Sequence, residues 1–163
     1  MQRYIHGSGD DAMSERSACS DGPQQLAVSR TTPPRPLDGL YVLIVDDDVD
    51  VRDVLSLAFE LAGARVTACQ DGLQALDAFE TDMPDVLLME INLPGPNGFS
   101  VMRMMRQLHD PAARAVPAIA LSGSIGDFGV ERMVYAGFNE WFRKPVALDR
   151  LVGAVGRLAG RAI

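Results

Sequence analysis

The sequence is poor in several features, and each absence argues against a class of protein. It has only two cysteines among 163 residues, Cys19 and Cys69, which gives neither a disulfide framework nor a metal-site spacing. It has no run of about 18 apolar residues, so we expect no transmembrane helix. Residues 1–10 contain no apolar segment of a secretory signal. The net charge of −7 argues against nonspecific nucleic-acid binding and against attraction to anionic membranes.

Lysine is nearly absent from the chain. Of the 15 basic residues, 14 are arginine, and the single lysine, Lys144, stands directly before Pro145. A lone lysine in a chain that otherwise uses arginine makes this position a candidate for a specific role.

The composition changes near residue 39. Residues 1–38 are rich in Ser, Asp, Gly, Gln and Pro and show no periodic apolar pattern, which predicts a disordered N-terminal tail or linker. Apolar patterning begins at Leu40. We therefore assign a single domain to residues 39–163.

Within this domain, short apolar runs alternate five times with segments of helical periodicity. An alternation of this kind predicts an α/β fold, with a parallel sheet covered by helices on both faces. The predicted strands cover residues 41–45, 65–69, 85–89, 116–121 and 139–143, and the predicted helices cover residues 51–62, 72–79, 99–107, 127–136 and 148–158.

Polar residues follow four of the predicted strands, and the carboxyl ends of parallel strands meet at one edge of a sheet, where ligands bind. Crowded carboxylates repel one another unless a cation lies among them, and oxygen ligands suit Mg²⁺. A lysine and a hydroxyl beside such a cation suit a phosphoryl group. The residues are Asp46, Asp47, Glu90, Ser122 and Lys144.

Four stretches, residues 42–48, 85–98, 120–123 and 141–145, resemble the receiver domain of two-component response regulators. The resemblance covers about residues 39–158. It implies a flavodoxin-like, doubly wound (βα)5 fold with a five-stranded parallel sheet in the order 2-1-3-4-5. It also implies a bacterial, cytoplasmic signalling module that is not an enzyme. Its partner would be a protein, such as a histidine kinase or a downstream effector, with no nucleic acid and no membrane.

The resemblance also implies a role for each site residue. An acidic pair and a backbone carbonyl would hold Mg²⁺ together with the phosphoacceptor side chain, and a hydroxyl and an ammonium group would contact the phosphoryl group. A hydroxyl and an aromatic ring would form the switch. These roles fall on Asp46 and Asp47 (acidic pair), Asn92 (carbonyl), Glu90 (acceptor position), Ser122 and Lys144 (phosphoryl contacts), and Ser122 and Trp141 (switch).

Two residues depart from the family's pattern. Trp141 is larger than the usual Tyr or Phe, so we expect its ring not to fit the inward position of an activated receiver. Glu90 replaces the usual aspartate and reaches about 1.5 Å further, and a misplacement of about 1 Å can cost on the order of 10²-fold in rate. We therefore expect a weakened Mg²⁺ site and phosphorylation-independent signalling through protein–protein interaction, with Glu90 as a partial phosphate mimic.

The sequence leaves alternatives open. In one alternative, Glu90 has no effect on function. The domain is then a pseudo-receiver scaffold that dimerises through the fourth helix, fifth strand and fifth helix. In others, the domain is a Mg²⁺-dependent receiver still phosphorylated at Glu90, or the receiver fragment of a hybrid histidine kinase. An enzyme on the same fold is disfavoured, because no catalytic triad or P-loop is present and His6 and His109 lie away from the strand ends.

Overall fold

A computed structural model of the protein describes residues 35–123 and 129–161. Most of the predicted tail, residues 1–34, lies outside these ranges, but its last four residues lie inside them. Leu37 is fully buried, and its N–H donates to the carbonyl oxygen of Ala62 at 2.9 Å. The packed domain therefore begins earlier than the predicted boundary at residue 39, because an isolated leucine in a proline-rich segment packs against the end of the first helix.

The sheet has five parallel strands in the order β2-β1-β3-β4-β5. This confirms the predicted strand order, and each strand lies within two residues of its prediction. The strands are β1 Tyr41–Val45, β2 Arg65–Cys69, β3 Val86–Glu90, β4 Ala118–Ser122 and β5 Glu140–Arg143.

Both faces of the sheet are covered by helices, as predicted. Side chains alternate across a strand, so Leu43 and Val45 belong to one buried cluster and Val42 and Ile44 to the other. Helices α2 to α5 pack on the first cluster, and helices α1 and α6 pack on the second. The helices are α1 Val49–Leu61, α2 Gly72–Thr81, α3 Gly98–Arg106, α4 Pro111–Ala115, α5 Val130–Ala136 and α6 Leu148–Leu158.

Short polar side chains fix where the first helices begin. Asp48, Asp71 and Asn97 each have an extended backbone and accept hydrogen bonds from N–H groups of the first helical turn. Such N-caps satisfy donors that have no partner inside the helix.

Two helices differ from the prediction. Helix α4 was not predicted, although Asp110 caps it and Pro111 occupies its first turn, which is where proline is tolerated. Helix α5 begins at Val130, after Gly129 with φ +71°, and the predicted start at residue 127 lies outside the described residues. Within residues 35–123 and 129–161, no helix is both long enough and apolar enough to cross a membrane.

Candidate functional site

The carboxyl edge of the sheet brings together four of the predicted site residues. Asp46 follows β1, Glu90 ends β3, Ser122 ends β4 and Lys144 follows β5. Asp46 and Ser122 are fully buried and Glu90 is 5% exposed. A buried charge is costly unless a partner compensates it, so the contacts of the two carboxylates decide what this edge can do.

Lys144 lies between the two buried carboxylates. Its Nζ is 2.6 Å from Oε2 of Glu90 and also donates a hydrogen bond to Oδ2 of Asp46. The Lys144 side chain is 22% exposed. One ammonium group therefore compensates two carboxylates from two different strands.

The other oxygen of each carboxylate accepts a backbone hydrogen bond. Oε1 of Glu90 accepts from the N–H of Asn92 at 2.8 Å, and Oδ1 of Asp46 accepts from the N–H of Asp48 at 3.0 Å. All four carboxylate oxygens of Asp46 and Glu90 thus accept from donors of this chain, which is the condition for burying such groups without a large penalty.

The surroundings shift the pKa values of two of these groups. Burial raises the pKa of Asp46 above its usual range, while the hydrogen bonds from Lys144 and from the Asp48 backbone act in the opposite direction. Burial also lowers the pKa of Lys144, but the hydrogen bonds and charges of Asp46 and Glu90 outweigh it and raise this pKa above its ordinary value. Lys144 is therefore a protonated cation at neutral pH.

Arg52 holds the main chain at this site, and sequence reasoning missed it. Its Nη1 donates to the carbonyl oxygen of Asp46 at 2.7 Å, and the N–H of Asp46 donates to the carbonyl oxygen of Cys69 at 3.1 Å. The only signal in the sequence is an arginine in the first turns of the helix that follows the acidic residues.

Gly98 allows the loop after β3 to fold back against Glu90. A Cβ at Gly98 would lie 2.6 Å from the carbonyl oxygen of Glu90 and 2.9 Å from Cα of Ile91. Both are backbone atoms, so no side-chain movement could relieve the overlap. The glycine therefore helps to set the position of Glu90.

The remaining predicted site residues have different surroundings. Asp47 and Asn92 are exposed, although Asp47 is adjacent in sequence to the buried Asp46. Trp141 is half-buried and packs against the cluster below helices α2 to α5. Ser122 lies at the end of β4, with its carbonyl oxygen accepting from the N–H of Lys144 at 2.9 Å. The switch roles of Ser122 and Trp141 stay predictions.

The predicted metal ligands are brought together only in part in this arrangement. Asp46 and Glu90 both contact Lys144, and the N–H of Asn92 donates to Glu90, whereas Asp47 is exposed. In the part of the chain that the structure describes, no group of three or more His, Cys, Asp and Glu residues is arranged to hold a metal ion. With the ammonium group of Lys144 bound to both buried carboxylates, the residues as placed here do not present an oxygen set that fits Mg²⁺.

Comparison with known proteins agrees with this fold. The chain matches the response regulator receiver domain over residues 42–156. It is 37% identical over 128 residues to the transcriptional regulatory protein CseB of Streptomyces coelicolor, which covers 77% of this chain and 53% of the regulator. The chain thus spans about half the length of that relative. Because such relatives are named as transcriptional regulators, the expectation that nucleic acid is not a partner is not supported.

Solved structures show the same fold. A putative response regulator from Chloroflexus aurantiacus is 31% identical, with a TM-score of 0.68 and coverage of 75% of this chain and 98% of that chain. The receiver domain of a sensor histidine kinase from Pseudomonas aeruginosa is also 31% identical, with a TM-score of 0.69 and the same coverage. That domain was crystallised with a magnesium ion coordinated in its active-site cleft. This chain belongs to the family of response regulator receiver domains, the signalling modules of two-component systems.

Proposed function

We propose that this receiver domain signals through protein–protein interaction without being phosphorylated. The observation that carries the proposal is the 2.6 Å contact between Glu90 Oε2 and Lys144 Nζ. The lysine expected to bind the phosphoryl group already binds the carboxylate at the acceptor position. Glu90 thus places a negative charge where a receiver would otherwise carry its phosphoryl group.

The charge and length of Glu90 support the proposal that its carboxylate partly mimics a phosphoryl group. A carboxylate carries one negative charge, whereas a phosphoryl group carries about 1.5 to 2 at neutral pH. A group that favours one conformation shifts the population only by its differential interaction with the two states. Glu90 therefore biases the switch formed by Ser122 and Trp141 toward the active surface less strongly than a phosphoryl group does.

The same geometry opposes phosphorylation. Phosphoryl transfer depends on positioning of the attacking oxygen and on electrostatic stabilisation of the transferred group. Glu90 presents its oxygens about one methylene further out than aspartate, and both accept hydrogen bonds from this chain. We propose that Mg²⁺ binding at Asp46, Asp47, Glu90 and the carbonyl of Asn92 is correspondingly weak.

The partners follow from the family. Receiver domains interact with histidine kinases and with effector domains, and we propose the same partner classes in the cytoplasm for this chain. The similarity to the receiver domain of a sensor histidine kinase favours, as a second candidate, that the chain is the receiver part of a hybrid histidine kinase.

A scaffold that dimerises is the other candidate. Helix α5, which corresponds to the predicted fourth helix, exposes Val130, Val134 and Tyr135 to 54%, 59% and 86%. Apolar side chains grouped on an exposed face indicate an interaction surface. Sedimentation of the wild type and of Val134→Lys distinguishes this candidate, since a dimer through α5 would become a monomer in the variant.

The test of phosphorylation uses acetyl phosphate with Mg²⁺, followed by intact mass and by the fluorescence of Trp141, the single tryptophan. We expect the wild type to gain no phosphoryl mass and to show no fluorescence change. Glu90→Asp, which shortens the side chain to the usual length, is the matched variant and is expected to gain the phosphoryl mass. A phosphoryl group on Glu90 of the wild type would overturn the proposed function.

A further inference from the structure

We infer that Lys144 is a built-in counter-ion, whose ammonium group occupies the position between Asp46 and Glu90 and keeps divalent cations out of this edge of the sheet. The inference rests on the proposed function and deepens it, because it names the group that replaces the metal in the resting site. Loss of a ligand would lower the affinity for divalent cations. Removal of Lys144 should instead raise this affinity and create a cation site.

The charges at this edge of the sheet require a cation. Two carboxylates buried at the same edge repel each other unless a cation lies among them. Lys144 supplies that positive charge by direct contact with Glu90 at 2.6 Å and with Asp46. A divalent cation would have to displace the ammonium group from both partners before it could bind either carboxylate.

The remaining carboxylate oxygens are poorly placed to coordinate Mg²⁺. Mg²⁺ requires near-octahedral oxygen ligands at about 2.0–2.1 Å. The two oxygens that do not face Lys144 accept from backbone N–H groups at 2.8 and 3.0 Å. A cation approaching from that side would meet the N–H groups of Asn92 and Asp48, whose partial positive charges repel it.

The length of the Glu90 side chain allows both of its oxygens to find donors. Its carboxylate reaches Lys144 through Oε2 and the N–H of Asn92 through Oε1 at the same time. An aspartate in this position would carry its carboxylate about 1.5 Å closer to the backbone, judged from one C–C bond length. The departure of Glu90 from the family's pattern and the placement of Lys144 therefore belong to one arrangement.

The single lysine allows a direct measurement on the wild type. Protein labelled with ¹³C and ¹⁵N only in lysine gives one side-chain signal, from Lys144. We expect this signal to stay in place when MgCl₂ is added to about 10 mM, a concentration at which weak sites of millimolar affinity are largely filled. A saturable shift of the Lys144 signal, with a midpoint below that concentration, would overturn the inference.

A second measurement uses variants and the metal alone. Mn²⁺ and Mg²⁺ binding is followed by calorimetry for the wild type, Lys144→Met and Arg143→Met. Lys144→Met removes the charge between the carboxylates, and Arg143→Met removes the same charge from the adjacent, exposed residue. Because a unit charge at contact distance acts strongly on a divalent cation, we expect at least about a tenfold gain in affinity for Lys144→Met and less than about twofold for Arg143→Met.

Equal affinities of Lys144→Met and the wild type would overturn the inference, as would equal gains in both variants. If Lys144→Met does not fold, the lysine signal of the wild type decides alone. The outcomes also separate the two proposals. Mg²⁺ binding to the wild type without phosphoryl transfer contradicts only the counter-ion role of Lys144, and phosphoryl transfer to Glu90 in the presence of EDTA contradicts only the proposed function.

Discussion

Lys144 and Glu90 form an ion pair at 2.6 Å across an intervening strand of the sheet. Glu90 ends β3, Lys144 follows β5, and β4 lies between these strands. The contact therefore depends on the strand order and on the carboxyl ends of the three strands meeting at one edge. It joins Glu90, which is predicted to stand at the acceptor position, to the only lysine of the chain.

The first prediction concerns the stability that this ion pair provides. Lys144→Met leaves two buried carboxylates without their cation, so we expect the free energy of unfolding to fall by about 3 kcal/mol, the low end for a buried pair that loses one partner. Urea denaturation at neutral pH without divalent cations measures the loss. Adding Glu90→Gln to Lys144→Met should restore part of it, and a loss under about 1 kcal/mol would contradict the coupling.

The second prediction concerns the glycine against Glu90. Gly98→Ala would push the backbone at residue 98 away from that of Glu90, because the new Cβ would lie 2.6 Å from the carbonyl oxygen of Glu90. We expect the free energy of unfolding to fall by about 1–3 kcal/mol. Gly95→Ala is the control, since Gly95 has φ +75° with nothing within 4 Å of an added Cβ, and it should lose about 1 kcal/mol from its backbone conformation alone. Only Gly98→Ala should move the NMR signal of Lys144. A shift of that signal in Gly95→Ala but not in Gly98→Ala would contradict this account.

The third prediction concerns pH and Cys69. Burial, and then the charge of Asp71, raise the pKa of the Cys69 thiol above its ordinary value of 9.0. The contribution of the neutral Cys69 thiol to the free energy of unfolding is therefore fully present below pH 9.0. It is lost as the pH rises through the raised pKa. The stability difference between the wild type and Cys69→Ala should shrink when urea denaturation is repeated above that pH, and a difference that stays constant or grows would be inconsistent with the shift.

The fourth prediction concerns Arg106, which joins three helices. Its Nη1 donates to the carbonyl oxygen of Arg114 at 2.9 Å and its Nη2 to that of Gly137 at 2.8 Å. Arg106→Met keeps the apolar stem but leaves these carbonyl groups without the charged donor, so we expect a loss of about 1.5–3 kcal/mol. Arg103→Met, at an exposed position of the same helix, should lose under about 0.5 kcal/mol. Similar thermal unfolding of both variants would count against the role of Arg106.

The regular elements were predictable because their signals are local. The apolar run of β1 and the capping aspartate of α1 lie within a few residues of the structure that they determine. The strand order and the roles of the site residues came from resemblance to a family, whereas five of the site positions came from the polar residues at the predicted strand ends. Helix α4 was missed although Asp110 and Pro111 carry its start signal, because one short turn has too few residues to show a helical period.

The amino-acid sequence alone establishes which polar residues stand at the strand ends and that position 90 carries glutamate. The tertiary structure buries Asp46 beside Lys144 and leaves its neighbour Asp47 exposed. It also decided that Arg52 holds the carbonyl group of Asp46 and that Leu37 belongs to the core. The contact of Asp46 with Lys144 joins residues far apart in the chain, whereas Arg52 lies six residues from Asp46. The strength of these contacts depends on burial and on the distance between charges, and neither quantity exists until the sheet and its helices have packed.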